Sequence, residues 1–128
     1  MTEHFTGSTP IYMQIAEEIR NLIIRGALTE GDQLMSTTEY STTYRINPAT
    51  VGKAFTQLVS EGLVEKRRGI GMFVRAGAQQ ALLASRRERY FTDVLRPAID
   101  AGLALGLTVH DITALVNADN SPHERENS

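Results

Sequence analysis

Ser36–Val74 reads STTEYSTTYRINPATVGKAFTQLVSEGLVEKRRGIGMFV, and its order of caps, apolar stripes and glycine turns decides the fold. In Ser36-Thr37-Thr38-Glu39 a hydroxyl stands three positions before a carboxylate, so each side chain can bond the other's free backbone N–H at a helix start. A short helix follows, carrying Tyr40 and Tyr44 inward and ending near Arg45. Asn47 offers a second cap, and Pro48 suits the first helical position, where an N–H would go unpaired anyway. In the helix they open, Val51, Ala54, Phe55, Leu58 and Val59 recur on one face, which packs, while Ala49, Thr50, Lys53 and Gln57 point elsewhere and are free to read. Gly62 stops this helix, because glycine enters the left-handed C-terminal cap without steric cost. The runs Leu63–Arg67 and Met72–Arg75 then flank Arg68-Gly69-Ile70-Gly71 as the arms of a hairpin. Two short helices across a tight turn, followed by a basic hairpin, make a winged helix-turn-helix, and the function this order implies is contact with DNA.

Working outward, Thr9 can cap and Pro10 can open a helix whose stripe is Ile11, Ile15, Ile19, Leu22 and Ile23, ended by Gly26. That helix packs behind the reading helix. A short strand near Gln33-Leu34 is expected to join the hairpin as a third strand. Past Val74, Ala76-Gly77-Ala78 reads as a linker, and Leu82, Leu83, Tyr90, Phe91, Val94, Leu95, Ile99 and Leu103 recur with near-helical spacing. Pro97 lacks a backbone donor and should kink this helix near Asp93 to Leu95. A last short helix follows Thr108, with Asp111 three positions on as a shortened capping box and Ile112, Leu115 and Val116 inward. From Asn117 the chain is polar and reads as disordered.

The expected fold class is mainly α with a small β-hairpin wing. A winged helix-turn-helix domain occupies residues 1–75, a two-helix dimerisation segment 78–117, and a disordered tail 118–128. Segments near about 40 residues rarely sustain a core without a partner or cross-links. The apolar face of the second segment therefore needs a partner, and its copy in a second subunit is the expectation. Leu83, Tyr90, Phe91, Val94, Leu95, Ile99, Leu103 and Ile112 are assigned to that homodimer interface.

The chain resembles the GntR-type bacterial transcription regulators, and specifically their small YtrA-like branch. The resemblance rests on Pro10-Ile11-Tyr12, Gln14-Ile15, Ile19-Arg20, Gly26, Leu28, Gly31-Asp32, Leu34, Ser36, Glu39, Asn47-Pro48 with Thr50-Val51, Lys53-Ala54, Leu58, Glu61-Gly62-Leu63-Val64, Arg67-Arg68-Gly69, Gly71 and Phe73-Val74. It implies a DNA-binding repressor whose second helix of the motif enters the major groove, whose wing touches the flanking backbone, and whose C-terminal helices are a short dimerisation segment. The sequence departs from the family where Pro-Ser-x-Arg is usual: it has Met35-Ser36-Thr37-Thr38, so Thr38 stands in the place of a common DNA-contacting arginine. YtrA-like relatives often control transporter operons, which makes such genes the expected targets.

Composition narrows the alternatives. The 128-residue chain has no cysteine, which excludes disulfide scaffolds, thiolate zinc sites and cysteine nucleophiles. Met1–Pro10 lacks a basic region followed by an apolar core, and no run approaches the about 20 apolar residues that span a bilayer. No membrane partner and a cytoplasmic location are the expectations. The formal charge of −2 looks wrong for a DNA binder until it is mapped. Residues 1–44 carry −4, residues 45–75 carry +4 and residues 76–128 carry −2, so the positive charge coincides with the proposed reading surface.

Each candidate has a bland reading beside the functional one. Asn47, Ala49, Thr50 and Lys53 would be a cap and a solvated face on an isolated helix; within the motif they become the base-reading end. Lys66, Arg67 and Arg68 would be ordinary surface charge anywhere else, but at a hairpin tip they are placed for phosphate contact. Gly69 and Gly71 resemble a phosphate-cradling loop, yet no helix follows at once and no Gly-Lys-Ser/Thr appears, so they are read as wing geometry, with Gly69 kept among the DNA-contacting residues. Ser36 is a cap, to which the resemblance adds a phosphate contact, and Thr38 is included at the position of the missing arginine. Arg86, Arg87 and Arg89 read as a solvated helix face. His4, His110 and His123 are scattered without ligand spacing, so no metal and no cofactor is expected. Tyr90 and Phe91 read first as dimer core and second as the lining of a pocket for an unknown small-molecule effector. No nucleophile-base-acid set or dinucleotide fingerprint appears, and the chain is not expected to be an enzyme. The rival to the regulator is a winged-helix module that binds only protein, which shares the fold.

Overall fold

Both halves of the expected capping box form. The Ser36 N–H donates to Glu39 Oε1 and the Glu39 N–H to Ser36 Oγ, each at 3.0 Å, and they open helix α2, Thr37–Tyr44. Asn47 Oδ1 accepts from the Ala49 N–H at 2.8 Å, and Pro48 takes the first position of helix α3, Pro48–Ser60. Between the two helices Arg45 adopts φ 56, a left-handed turn made without glycine. Such a residue is strained by roughly 1–2 kcal/mol. Ser41 offsets that strain: its carbonyl accepts the Ile46 N–H at 3.0 Å, and its hydroxyl donates to the Ile46 carbonyl. These coordinates are a computed structural model that describes residues 5–127, with side chains described through residue 118.

Helix α1, Ile11–Ile24, lies behind this motif and buries Ile15, Ala16, Ile19 and Ile23. Ile11 is exposed and Leu22 only half-buried, so the stripe is narrower than its spacing implies and includes Ala16 instead. Pro10, not Thr9, is the capping residue, and no side chain caps it. Ala16 and Ala54 have no solvent exposure at all. Both belong, with Val51 and Leu58, to the one core where α1 and α3 pack together, and small side chains there suit close helix packing. A bidentate ion pair reinforces the contact, with the Arg20 guanidinium at 2.8 and 2.7 Å from the Glu61 carboxylate. That bond holds the Arg20 pKa above its usual value. Tyr40 is also tied to α1, donating to Glu18 Oε1 at 2.8 Å, and its burial pushes the phenol up. Val59, grouped with the packed face by spacing, is exposed.

At Gly62, φ 78, α3 ends in paired return bonds: the Gly62 N–H reaches the Val59 carbonyl at 2.9 Å and the Leu63 N–H the Leu58 carbonyl at 3.1 Å. Strand β1, Val64–Arg67, starts at once and pairs antiparallel with β2, Gly71–Val74, in the register Val64↔Val74 to Arg67↔Gly71. The expected third strand is a single bridge, Gln33↔Phe73, flanked by Leu34 N–H to the Met72 carbonyl at 2.8 Å and Val74 N–H to the Asp32 carbonyl at 2.9 Å.

The chain divides into two compact units, one ending at Ala84 and the other beginning at Ser85. The boundary expected from the sequence lies earlier, at residue 75. Ala78 and Leu82, on helix α4 (Ala78–Tyr90), are buried in the first core. Residues 76–78 are likewise no loose linker, since Gly77 donates its N–H to Glu30 Oε1 and Gln79 Nε2 donates to the Ile24 carbonyl at 2.7 Å. Leu83, assigned to the dimer segment, falls in the first unit and is half-buried.

In the second unit, Pro97 cannot donate to the Asp93 carbonyl. The chain answers with a π-helical turn over Phe91–Leu95, where the Arg96 N–H reaches back to the Phe91 carbonyl, before helix α5, Arg96–Ala104. This is how the backbone accommodates Pro97 where a kink was expected. Leu107 and Ile112 pack over Gly102, where an added Cβ would meet them at 3.5 and 3.6 Å, ordinary contact distances. Thr108 and Asp111 form their capping box, with the Thr108 N–H to Asp111 Oδ2 at 2.9 Å and the Asp111 N–H to Thr108 Oγ1 at 3.0 Å, and the Thr108 N–H holds the Asp111 carboxyl below its usual value. Helix α6 runs Val109–Asn127, so the backbone is helical across the stretch expected to be a disordered tail from residue 118; side chains there lie outside the described residues.

Leu58 is fully buried between α1 and α3, and Val59 beside it is exposed. Leu58→Ala should therefore destabilise the first unit by about 2–5 kcal/mol, while Val59→Ala changes stability by less than about 0.5 kcal/mol. Urea denaturation monitored by tyrosine fluorescence measures both, and equal effects would contradict this packing.

Candidate nucleic-acid interface

The N-terminus of α2, one side of α3 and the wing surround an open concavity of about 660 Å³. Of the residues read as DNA-contacting, Ser36, Thr38, Lys66, Arg67 and Gly69 line it together. The capping box presents the first turn of α2 here, and the Gly62 reversal brings the wing alongside α3. Asn47, Ala49, Thr50 and Lys53 occupy the N-terminal half of α3 outside this lining, as does Arg68 at the hairpin tip. Asn47, Ala49 and Lys53 are exposed and Thr50 half-buried.

These residues differ in how freely they can engage a ligand. Asn47 spends its carbonyl oxygen on the helix cap. Lys53 extends its Nζ to 4.2 Å from the centre of the Tyr12 ring, so its cation is held towards α1. Arg67 lies 4.0 Å above the Phe73 ring, and its Nε donates to Glu65 Oε2 at 3.1 Å. The strand register explains this, because Glu65, Arg67 and Phe73 share one face of the hairpin. Among the described residues, Lys66 and Arg68 have no ionic partner, and both are exposed. They are the free cations of the wing.

The further lining residues include Gly52, Thr56 and Ile70. Thr56 was findable, since it continues the Ala49-Gly52/Lys53 ridge at helical spacing. Gly52 has no side chain to announce itself, although a Cβ added there would meet nothing within 4 Å. Ile70 is 64% exposed at the wing tip, and its spacing gave no reason to single it out.

No group of three His, Asp or Glu residues able to hold a metal occurs among the described residues. His4 lies outside the described residues, as does the side chain of His123. No helix among them is long and apolar enough to cross a membrane.

Comparison with known proteins agrees with this geometry. The family described as bacterial regulatory proteins, gntR family, matches residues 11–74. The HTH-type transcriptional repressor YtrA of Bacillus subtilis (strain 168) is 35% identical over 97 residues, covering 76% of this chain and 75% of that one. The crystal structure of a transcriptional regulator from Oenococcus oeni superposes with a TM-score of 0.74 at 28% identity, over 92% of this chain and 97% of the other. The DNA-binding domain of AraR in complex with operator ORX1 superposes with a TM-score of 0.52 at 31% identity, over 55% and 90% of the respective chains. These relatives are transcription regulators and not enzymes. The match over residues 11–74, the similarity to YtrA and the shared winged helix-turn-helix place the chain in the GntR family as a DNA-binding transcription regulator.

Proposed function

We propose that the protein is a homodimeric repressor in the cytoplasm that reads a two-fold symmetric operator. The N-terminal half of α3 enters the major groove, and Lys66 and Arg68 meet phosphates flanking it. The observation that carries this reading is the concavity that Ser36, Thr38, Lys66, Arg67 and Gly69 line beside α3, with its wing and α3 side drawn from residues 45–75, the net-positive stretch of an acidic chain. A repressing role follows the similarity to YtrA. Selection of bound genomic fragments by the purified protein tests the reading, and inverted repeats among them are expected. Recovery of no preferred sequence, or binding to duplex DNA that does not weaken with salt, would favour the protein-binding winged-helix module instead.

The dimer is supported by the second unit taken alone. From residue 85 to 118 no side chain is buried, and Tyr90, Phe91, Val94, Leu103, Leu105, Leu107, Val109, Leu115 and Val116 are exposed. Leu95, Ile99 and Ile112 are half-buried. Apolar surface on this scale is an interface in waiting, and a second copy of the same segment covers it symmetrically. Two reading helices about 34 Å apart then match successive turns of the major groove. A small shallow pocket of about 360 Å³, lined by Phe91, Thr92, Leu95, Arg96 and Ile99, lies on this surface and is where an effector would bear on the dimer.

Two outcomes follow. Lys66→Ala/Arg68→Ala should weaken specific and non-specific duplexes alike and lower the log–log salt slope by about 0.9 for each lost phosphate contact. An unchanged slope in salt titrations would remove the wing from the phosphate contacts. Ile99→Asp puts a charge on the surface assigned to the dimer, at a cost of several kcal/mol if it is buried there unpaired. Sedimentation should show a monomer whose first unit is still folded, with operator affinity reduced towards the non-specific level; a stable dimer would place the interface elsewhere.

A further inference from the structure

We propose that Gln33 is the positioning residue of the wing, and that its amide holds the hairpin tip in the orientation that grips DNA. The wing consists of two four-residue strands, and a two-stranded hairpin of that size is marginally stable in water by itself. Its tip, from Arg67 to Gly71, is closed internally by the Ile70 N–H to the Arg67 carbonyl at 2.9 Å. The Ile70 carbonyl is engaged from outside the hairpin, by Gln33 Nε2 at 3.0 Å.

The register makes this reach possible. Gln33 stands opposite Phe73, so the diagonal neighbour on the same face towards the tip is Gly71. The Gln33 side chain runs across the bare Gly71 backbone: a Cβ there would stand 2.5 Å from Nε2, 3.5 Å from Cδ and 3.7 Å from Cγ. Glycine at 71 is thus the lane in which the amide lies. The backbone on either side of Gln33 is fixed by the Leu34 N–H donating to the Met72 carbonyl and the Val74 N–H donating to the Asp32 carbonyl, so the amide is thrown from an anchored base. Gln33 is exposed and does not line the concavity, while Gly69, Ile70 and Gly71 do. It acts on the interface only through the tip it holds.

The proposal rests on the DNA-binding reading, and its test separates the two. In the full chain without DNA, backbone amide NMR reports the order of Gly69, Ile70 and Gly71. Gln33→Glu keeps the shape but puts a carboxylate oxygen against the Ile70 carbonyl. The tip should loosen near neutral pH and recover as the pH falls through the carboxyl range, since protonation restores a donor. Gln33→Ala should loosen the tip at every pH, leave the thermal midpoint in place, and weaken duplex binding by about tenfold, the scale of one lost hydrogen bond. Gly71→Ala displaces the amide and also strains the backbone at φ 148, so it should loosen the tip at least as much as Gln33→Ala, with Gln33→Ala/Gly71→Ala no worse than Gly71→Ala by itself. An equally ordered tip in both Gln33 variants overturns the latch. A loosened tip with undiminished affinity, for a genomic fragment recovered by the wild type, overturns its part in gripping DNA. Wild type that binds no duplex ends the DNA reading and that second part together, while tip order still decides the first.

Discussion

The left-handed residue at Gly62 is the joint on which the interface depends. It ends α3 and starts β1 within three residues, so the helix that reads and the hairpin that flanks it emerge from one rigid corner. A side chain at that φ would be strained, and a longer connection would leave the wing free to swing. The packing beneath it serves the same end. Ala16 and Ala54 lie in the core where α1 packs with α3, and the Arg20–Glu61 pair clamps α1 to the residue immediately before the corner. Fold and site are therefore one construction, with the concavity as the space left between its two arms.

Most of that construction could be read from residue order because it is locally encoded. Ser36 with Glu39, Asn47 with Pro48, Gly62, and Thr108 with Asp111 each act on a partner a few positions away, and such signals need no knowledge of the fold. What escaped depended on partners far along the chain. The Gln33 amide meets the wing tip 37 positions on, and Lys53 meets Tyr12 across two helices. Val59 sits at the spacing of the packed face but just past its edge, where periodicity cannot tell a flank from a core. The reach of the first core past Val74 was hidden for a related reason. Ala78 and Leu82 follow a glycine and look like the start of something new, yet they fill the first core because Glu30 and Ile24 hold the chain down.

The second unit follows another logic. Its caps are as well formed as those of the first, at Thr108 and at the glycine-ended α5, but its side chains find no interior of their own. Pro97 is absorbed in a wide turn, and the next helical stretch continues without a break in the helical course. Local order without burial is what a segment shows when its stabilising contacts belong to an assembly and not to the single chain. In the dimer proposed above, its stability is tied to protein concentration.

Gly52 sits mid-helix on α3, facing the concavity, with open space where a side chain would be. A glycine there costs the helix about 1 kcal/mol against alanine. Nearly every replacement would thus strengthen the helix while adding a new group to the reading surface. With α3 as the reading helix proposed above, position 52 is where a new contacting group and a firmer helix come in one substitution.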